Sequence, residues 1–235
     1  MGIIRRLGDT CAPQVRSAEG MLSLIKEYQL IPFFAGPIAG YSVEEHTPPE
    51  MWFTDECLGP WDWKIDCVQS GDIAYGKFLC GGKAAFATVD AFRELINWRR
   101  SLPKYSPTPD QKKILDYMEE HGSITVPEVR GLLGITKSAA DTLLGKIQMQ
   151  TRIITGDIER VYRGPDLRYD GWQRSSFCSP EALFEDMDFP FPGFKPRTLR
   201  SSLTPAESHG FLIDTIRKAC GDVPDKAIMK VLGGV

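Results

Sequence analysis

No two of the six cysteines form a CxxC step; they stand apart at positions 11, 57, 67, 80, 178 and 220. That spacing excludes a zinc ribbon or a dithiol redox centre. It leaves free, mostly buried thiols, the state expected in a reducing cytoplasm. Long apolar runs are missing too, and none approaches the roughly 18 residues that a membrane span needs. The first residues, Met1-Gly2-Ile3-Ile4-Arg5-Arg6, lack the apolar stretch and cleavage site of a signal peptide. Arg6 stands where a myristoylation signal carries Ser or Thr. A cytoplasmic protein without membrane contact is therefore expected. The formal net charge is only −3, which excludes a generally basic protein that coats nucleic acid but not a local binding face. Repeats and low-complexity tracts are absent, and Gly81-Gly82-Lys83 lacks the glycine spacing and the Ser/Thr of a P-loop. No cofactor is expected.

What is present is an ordinary globular composition, 42% hydrophobic and 25% charged over 235 residues, enough to bury a proper core. Punctuation separates three regions, residues 1–104, 105–177 and 178–235. In the first, Met21, Leu22, Leu24, Ile25 and Tyr28 recur at helical spacing from Ser17 to Tyr28. From Ile31 to Phe86 the aromatic residues, broken by Gly and Pro, read as short strands and loops packed on rings. Val89 to Arg100 reads as a helix. The last region is expected to hold helices at Pro180 to Asp186, Pro205 to Cys220 and Pro224 to Leu232, around an aromatic-proline loop from Phe189 to Phe194.

The middle region carries the firmest pattern. Pro109 to Glu120 reads as a helix capped by Thr108, and Ser123-Ile124-Thr125 as a short strand. A second helix covers Val126 to Leu133, Gly134 makes the turn, and a third runs from Lys137 to Ile147. A strand from about Gln148 to Arg160, a loop around Gly164-Pro165 and a return strand from Tyr169 to Phe177 complete the order. This predicts a winged helix-turn-helix from about Pro107 to Phe177. The expected fold class is α+β: a winged helix-turn-helix core flanked by an aromatic-rich α+β N-terminal region and C-terminal helices.

A DNA-reading helix offers polar and basic side chains to base edges and phosphates. The third helix offers Lys137, Ser138, Asp141, Thr142 and Lys146. Between Pro107 and Gly171, nine Lys and Arg face ten Asp and Glu, so binding requires these charges to segregate. Arg152, Arg160, Arg163 and Arg168, followed by Arg174, could line one edge of the wing. Gln148-Met149-Gln150, placed on a strand, would set both amides on one face. Amides hold a base or a water but do not act as general bases near pH 7. Near the N-terminus, Glu45, His46, Trp61, Trp63 and Lys64 form a candidate polar pocket walled by rings. The alternative is Trp and His at strand ends with Glu44 and Glu45 solvated. Glu44, Glu45 and His46 are contiguous and cannot all face one centre on a strand, so no metal site is expected.

Several segments resemble the AlkZ-related proteins, relatives of the AlkZ/YcaQ winged-helix DNA glycosylases. They are Ile31-Pro32-Phe33-Phe34, the run from Ser42 to Pro49, Gly59-Pro60-Trp61-Asp62-Trp63-Lys64, Ala74-Tyr75-Gly76-Lys77-Phe78, Ile147-Gln148-Met149-Gln150-Thr151 and Tyr169-Asp170-Gly171-Trp172. The enzymes carry a Gln-hydrophobic-Gln or Gln-hydrophobic-Asp motif just after a helix of a winged-helix unit. By that resemblance Gln148 and Gln150 are candidate catalytic residues, orienting water on a base removed from the stack. The enzymes are longer, with tandem winged helices and a β-barrel domain, whereas this chain has room for one winged helix. Double-stranded DNA is the implied partner. Three readings stay open: a DNA-binding relative of the glycosylases, an active base-excision enzyme, and a protein-interaction module that keeps the winged helix as scaffold.

Overall fold

The structure is a computed structural model that describes residues 14–52, 58–185 and 197–233. Helix α1 (Ala18–Tyr28) starts where the Ser17 side chain accepts from Gly20 N at 3.1 Å, and it buries Met21, Leu24 and Ile25. A first antiparallel sheet is built from β1 (Leu30–Pro32), β2 (Ile73–Leu79) and β3 (Lys83–Thr88), with β3 in the centre. Between β1 and β2 lie a four-residue helix α2 (Val43–His46) and α3 (Pro60–Gln69). Helix α4 (Val89–Arg100) leaves β3 directly, with the Thr88 hydroxyl as its cap.

Helix α3 corrects the expectation of strands and loops here, because Trp61, Asp62, Trp63 and Lys64 are helical. Pro60 at the first helical position after Gly59 is an N-terminal signal. The helix is buried on most sides, at Asp62, Trp63, Lys64, Ile65, Cys67 and Val68, so no amphipathic stripe announces it.

The middle of the chain runs α5 (Pro109–His121), β4 (Ile124–Thr125), α6 (Val126–Leu133), α7 (Lys137–Met149), β5 (Ile154–Arg163) and β6 (Arg168–Cys178). Capping boxes at Thr108/Gln111 and Thr125/Glu128 start α5 and α6, and Gly134 at φ 64° turns the chain into α7. The three strands form a second antiparallel sheet in the order β4-β6-β5. Ile114, Met118, Val129, Leu144, Ile147 and Phe177 fill the space between helices and sheet. The strand expected from Gln148 begins only at Ile154. Helix α7 keeps a buried stripe through Leu144, Ile147 and Gln148, and the chain reverses at Thr151 with φ 57°.

After α8 (Pro180–Phe184), helices α9 (Pro205–Cys220) and α10 (Asp225–Leu232) close over α4 and the first sheet. Helix α10 starts one residue later than expected, with Pro224 as its N-cap. The aromatic-proline loop lies outside the described residues. Arg99 is fully buried at the centre of this packing, donating to Met149 O at 3.0 Å and to Leu232 O at 2.7 Å. One guanidinium thus caps the last turns of both α7 and α10. Cys67, Cys80, Cys178 and Cys220 are free thiols, and burial pushes Cys67, Cys178 and Cys220 up to about 12. Among the described residues no helix is long and apolar enough to cross a membrane.

Candidate nucleic-acid interface

Helix α7 has three faces with different duties. Ala140, Leu144 and Ile147 are buried toward α5 and α6. Lys137, Ser138, Thr142 and Lys146 are exposed. Asp141, Gly145 and Gln148 recur at helical spacing on a third stripe, which meets β2. Gly145 faces the Lys77 side chain, and a Cβ there would lie 3.9 Å from Lys77 Cδ, an ordinary contact distance. The β2–β3 ladder loses register between Gly76 and Leu79, and the Lys77 N–H donates instead to Gln148 Oε1 at 2.8 Å. A Cβ at Gly76 would sit 2.9 Å from the same oxygen, so the Gln148 amide would have to shift and give up this hydrogen bond.

Two concavities flank this contact. The outer one is an open cleft of about 700 Å³ between the exposed face of α7 and the β2–β3 turn at Gly81 and Gly82. Lys77, Lys137 and Lys146 line it against a single carboxylate, Asp141. Among the described residues, none of these lysines has a carboxylate within ion-pair distance. The inner one is a smaller cavity of about 110 Å³, which shares Lys77 and Asp141 with the cleft and is also lined by Tyr75, Gln148, Thr155 and Ser175. It has room for about three or four waters at roughly 30 Å³ each.

The glutamines do not share a face. Gln148 and Met149 end the helix and Gln150 is its C-cap. Gln148 reaches β2, whereas Gln150 Nε2 donates to Gln111 Oε1 at 2.9 Å in the first turn of α5. Gln111 Oε1 in turn accepts from Thr108 N at 2.8 Å. The Oε1 of Gln150 is buried without a hydrogen-bond partner among the described residues.

The arginines expected along the wing divide into three kinds. Arg152 is not on the hairpin arms at all. It lies half-buried beside Arg100 and Glu181, and burial, then the Arg100 charge, hold its pKa below the usual arginine value. Arg160 is committed to α3, its Nε donating to Asp62 at 3.1 Å, and Tyr169 donates to the same carboxylate at 2.7 Å. Arg163 and Arg168 are exposed at the hairpin end, the first over the Trp172 ring at 4.9 Å and the second paired with Asp170 at 2.9 Å.

The N-terminal candidates separate into two groups with different partners. Glu45 accepts from Gly40 N at 2.8 Å and from Ser42 Oγ at 2.6 Å, and His46 Nε2 lies 3.1 Å from both Tyr28 Oη and Gly40 O. Trp61 packs instead on Phe33, Phe34 and Trp52 at centroid distances of 5.4, 5.6 and 6.3 Å. Trp63 is buried, and Lys64 places its ammonium 4.4 Å from the Trp61 ring centroid. Lys77 is the cleft residue that charge counting over the middle region missed, because β2 brings it in from outside that region. Its one signal was its place in the Ala74 to Phe78 segment.

Burial lowers the Lys64 amine from 10.5 to about 8, against the raising effect of Asp62. A depression of that size costs about 3 kcal/mol at neutral pH, and the cation–π contact returns about 0.5–1 kcal/mol. Lys64→Met is therefore expected to stabilise the fold by about 2 kcal/mol at pH 7. The unfolded chain binds the extra proton between pH 8 and 10.5, so wild-type stability gains on the variant as pH rises through that window. By pH 10 the advantage should fall below about 1 kcal/mol in urea titrations. A destabilised variant, or an equal gain at both pH values, contradicts the assignment.

No curated protein and no solved structure matches the chain. A family model described as AlkZ related does match, and it covers residues 15–233, from just before α1 through both concavities to the residue that caps α10. The chain thus belongs to the AlkZ-related family.

Proposed function

We propose that this protein binds DNA through the cleft between α7 and the β2–β3 turn, as a relative of the DNA-repair glycosylases. The observation that carries this reading is the cleft itself: Lys137 and Lys146 on the exposed face of α7 and Lys77 on β2, without ion-pair partners among the described residues, against one carboxylate. The exposed cations also weigh against a scaffold-only role, since a helix face used for packing would be apolar and covered. On this reading residues 105–177 form a winged helix. Its support is the order of helix, strand, two helices and hairpin, with β4 and β5 flanking β6. The regions before and after it brace α7, with Gln148 and Gln150 fixing the helix to β2 and α5. Glycosylase chemistry would fall to Gln148, which lines the inner cavity beside Asp141, and not to Gln150, which faces α5.

The lysines give the test. Each phosphate contact contributes about −0.9 to the slope of log K against log salt. Replacing Lys77, Lys137 and Lys146 together by Ala is expected to flatten that slope by about 2–3. It should weaken duplex binding at least tenfold at low salt, whatever the sequence. Fluorescence anisotropy with a labelled duplex at several salt concentrations measures both. Unchanged affinity and slope in the folded triple variant would refute the cleft as the binding face.

A further inference from the structure

At the far end of the β5–β6 hairpin the side chains are unusually apolar for their exposure. Trp172 is 57% exposed, Tyr162 54% and Leu167 70%. The Arg163 guanidinium lies over the Trp172 indole at 4.9 Å from its centroid. Neither Arg163 nor Arg174 has an ion-pair partner among the described residues, whereas Arg168 is held by Asp170. The local backbone is shaped around the indole. Strand pairing slips between Arg160 and Tyr162, and Gly171, directly before Trp172, has φ 77°. Such a bulge re-aims a side chain. The other side of the hairpin is meanwhile fixed, with Arg160 and Tyr169 bound to Asp62 and Gln173 donating to Trp61 O at 2.9 Å. One face of the hairpin is anchored through Tyr169 and Gln173, and Trp172, which alternates with them, stays exposed.

We propose that Trp172, with Arg163, is a stacking platform for an unpaired nucleobase, so that the hairpin recognises unstacked or single-stranded segments of the nucleic acid held by the cleft. An indole offers a π-face to any base, and a neighbouring guanidinium adds a cation for the phosphate or the ring. A fully paired duplex keeps its bases stacked on one another and gives the platform nothing to hold. This proposal rests on the nucleic-acid reading of the cleft but places a separate contact at a separate element.

The test compares a labelled single-stranded oligothymidine with a fully paired duplex of equal length, by anisotropy. Four proteins are needed: wild type, Trp172→Ala, Trp172→Phe and the triple lysine variant. Trp172→Ala should weaken single-strand binding by about five- to a hundredfold. Trp172→Phe should keep most of the affinity, and neither should change duplex binding more than about twofold. Equal losses on both ligands, or no loss on the single strand, overturn the platform. If the lysine variant binds duplex normally while Trp172→Ala still loses the single strand, the cleft reading fails and the platform stands. Wild type that binds neither ligand overturns both.

Discussion

Arg99→Ala is expected to lower the melting temperature by about 6–12 °C. Three effects combine. Removing a large side chain with no exposed surface leaves a void worth about 2–3 kcal/mol. The carbonyls of Met149 and Leu232 lose their shared donor, at about 1–3 kcal/mol each where they stay dry. Against this, the buried charge itself is unfavourable: burial holds the guanidinium down to about 10, and its removal returns about 3 kcal/mol. The balance is a loss of about 3 kcal/mol, and for a chain of this length each kcal/mol moves the midpoint by about 2–4 °C. Arg99→Lys, which keeps a charge but reaches only one carbonyl, should fall between. A midpoint within 2 °C of wild type for the Ala variant, read by circular dichroism, would show that other groups cap the two helices.

Gly76→Ala is expected to cost about 2–3 kcal/mol, and most of that cost should disappear in a background that lacks Gln148. The new Cβ would lie 2.9 Å from Gln148 Oε1 and 3.3 Å from Phe78 Cδ1. The amide must move, and the Lys77 N–H loses its acceptor, a loss of about 1–3 kcal/mol. Gln148→Ala alone pays the same lost hydrogen bond, so it should destabilise by about 2 kcal/mol. In the double variant the steric conflict is gone and the hydrogen bond is lost only once. The two changes should therefore be sub-additive by at least about 1 kcal/mol in a double-mutant cycle from chemical denaturation. Strict additivity would mean that Gln148 and β2 are not coupled as the geometry requires.

The same residues explain why parts of the fold could be read from sequence and others could not. Local signals were sufficient where a helix had one apolar stripe and a cap. Thr88, Thr108, Thr125, Thr136 and Thr204 all start helices near the expected places, and α9 runs from Pro205 to Cys220 as its punctuation indicated. Helix α3 escaped because burial on most sides erased its stripe. The Gln148-Met149-Gln150 segment alternates polar and apolar residues like a strand, but tertiary partners on β2 and α5 satisfy its amides at a helix end. Arg152 and Arg160 looked like wing cations by position, and only the fold shows that Glu181, Arg100 and Asp62 are their neighbours. The cleft was out of reach for a related reason. Half of it comes from β2 and its glycine turn, more than fifty residues before α7, and no local pattern reports a neighbour so distant.

The carbonyl cap of Arg99 also sets an order of events during synthesis. Its second acceptor is Leu232, and the neighbouring Val231 carbonyl accepts from Cys80 N at 2.8 Å, at the root of the glycine turn. Helix α7 can already be held to β2 and α5 by Gln148 and Gln150 on the ribosome, but the Arg99 bridge and the Cys80 end of the turn gain their α10 partners only when α10 has emerged and docked. Chains grow at roughly 5–20 residues per second. About 80 residues separate the end of α7 from Leu232, so the α7 end and the glycine turn wait several seconds for the segment that bridges them.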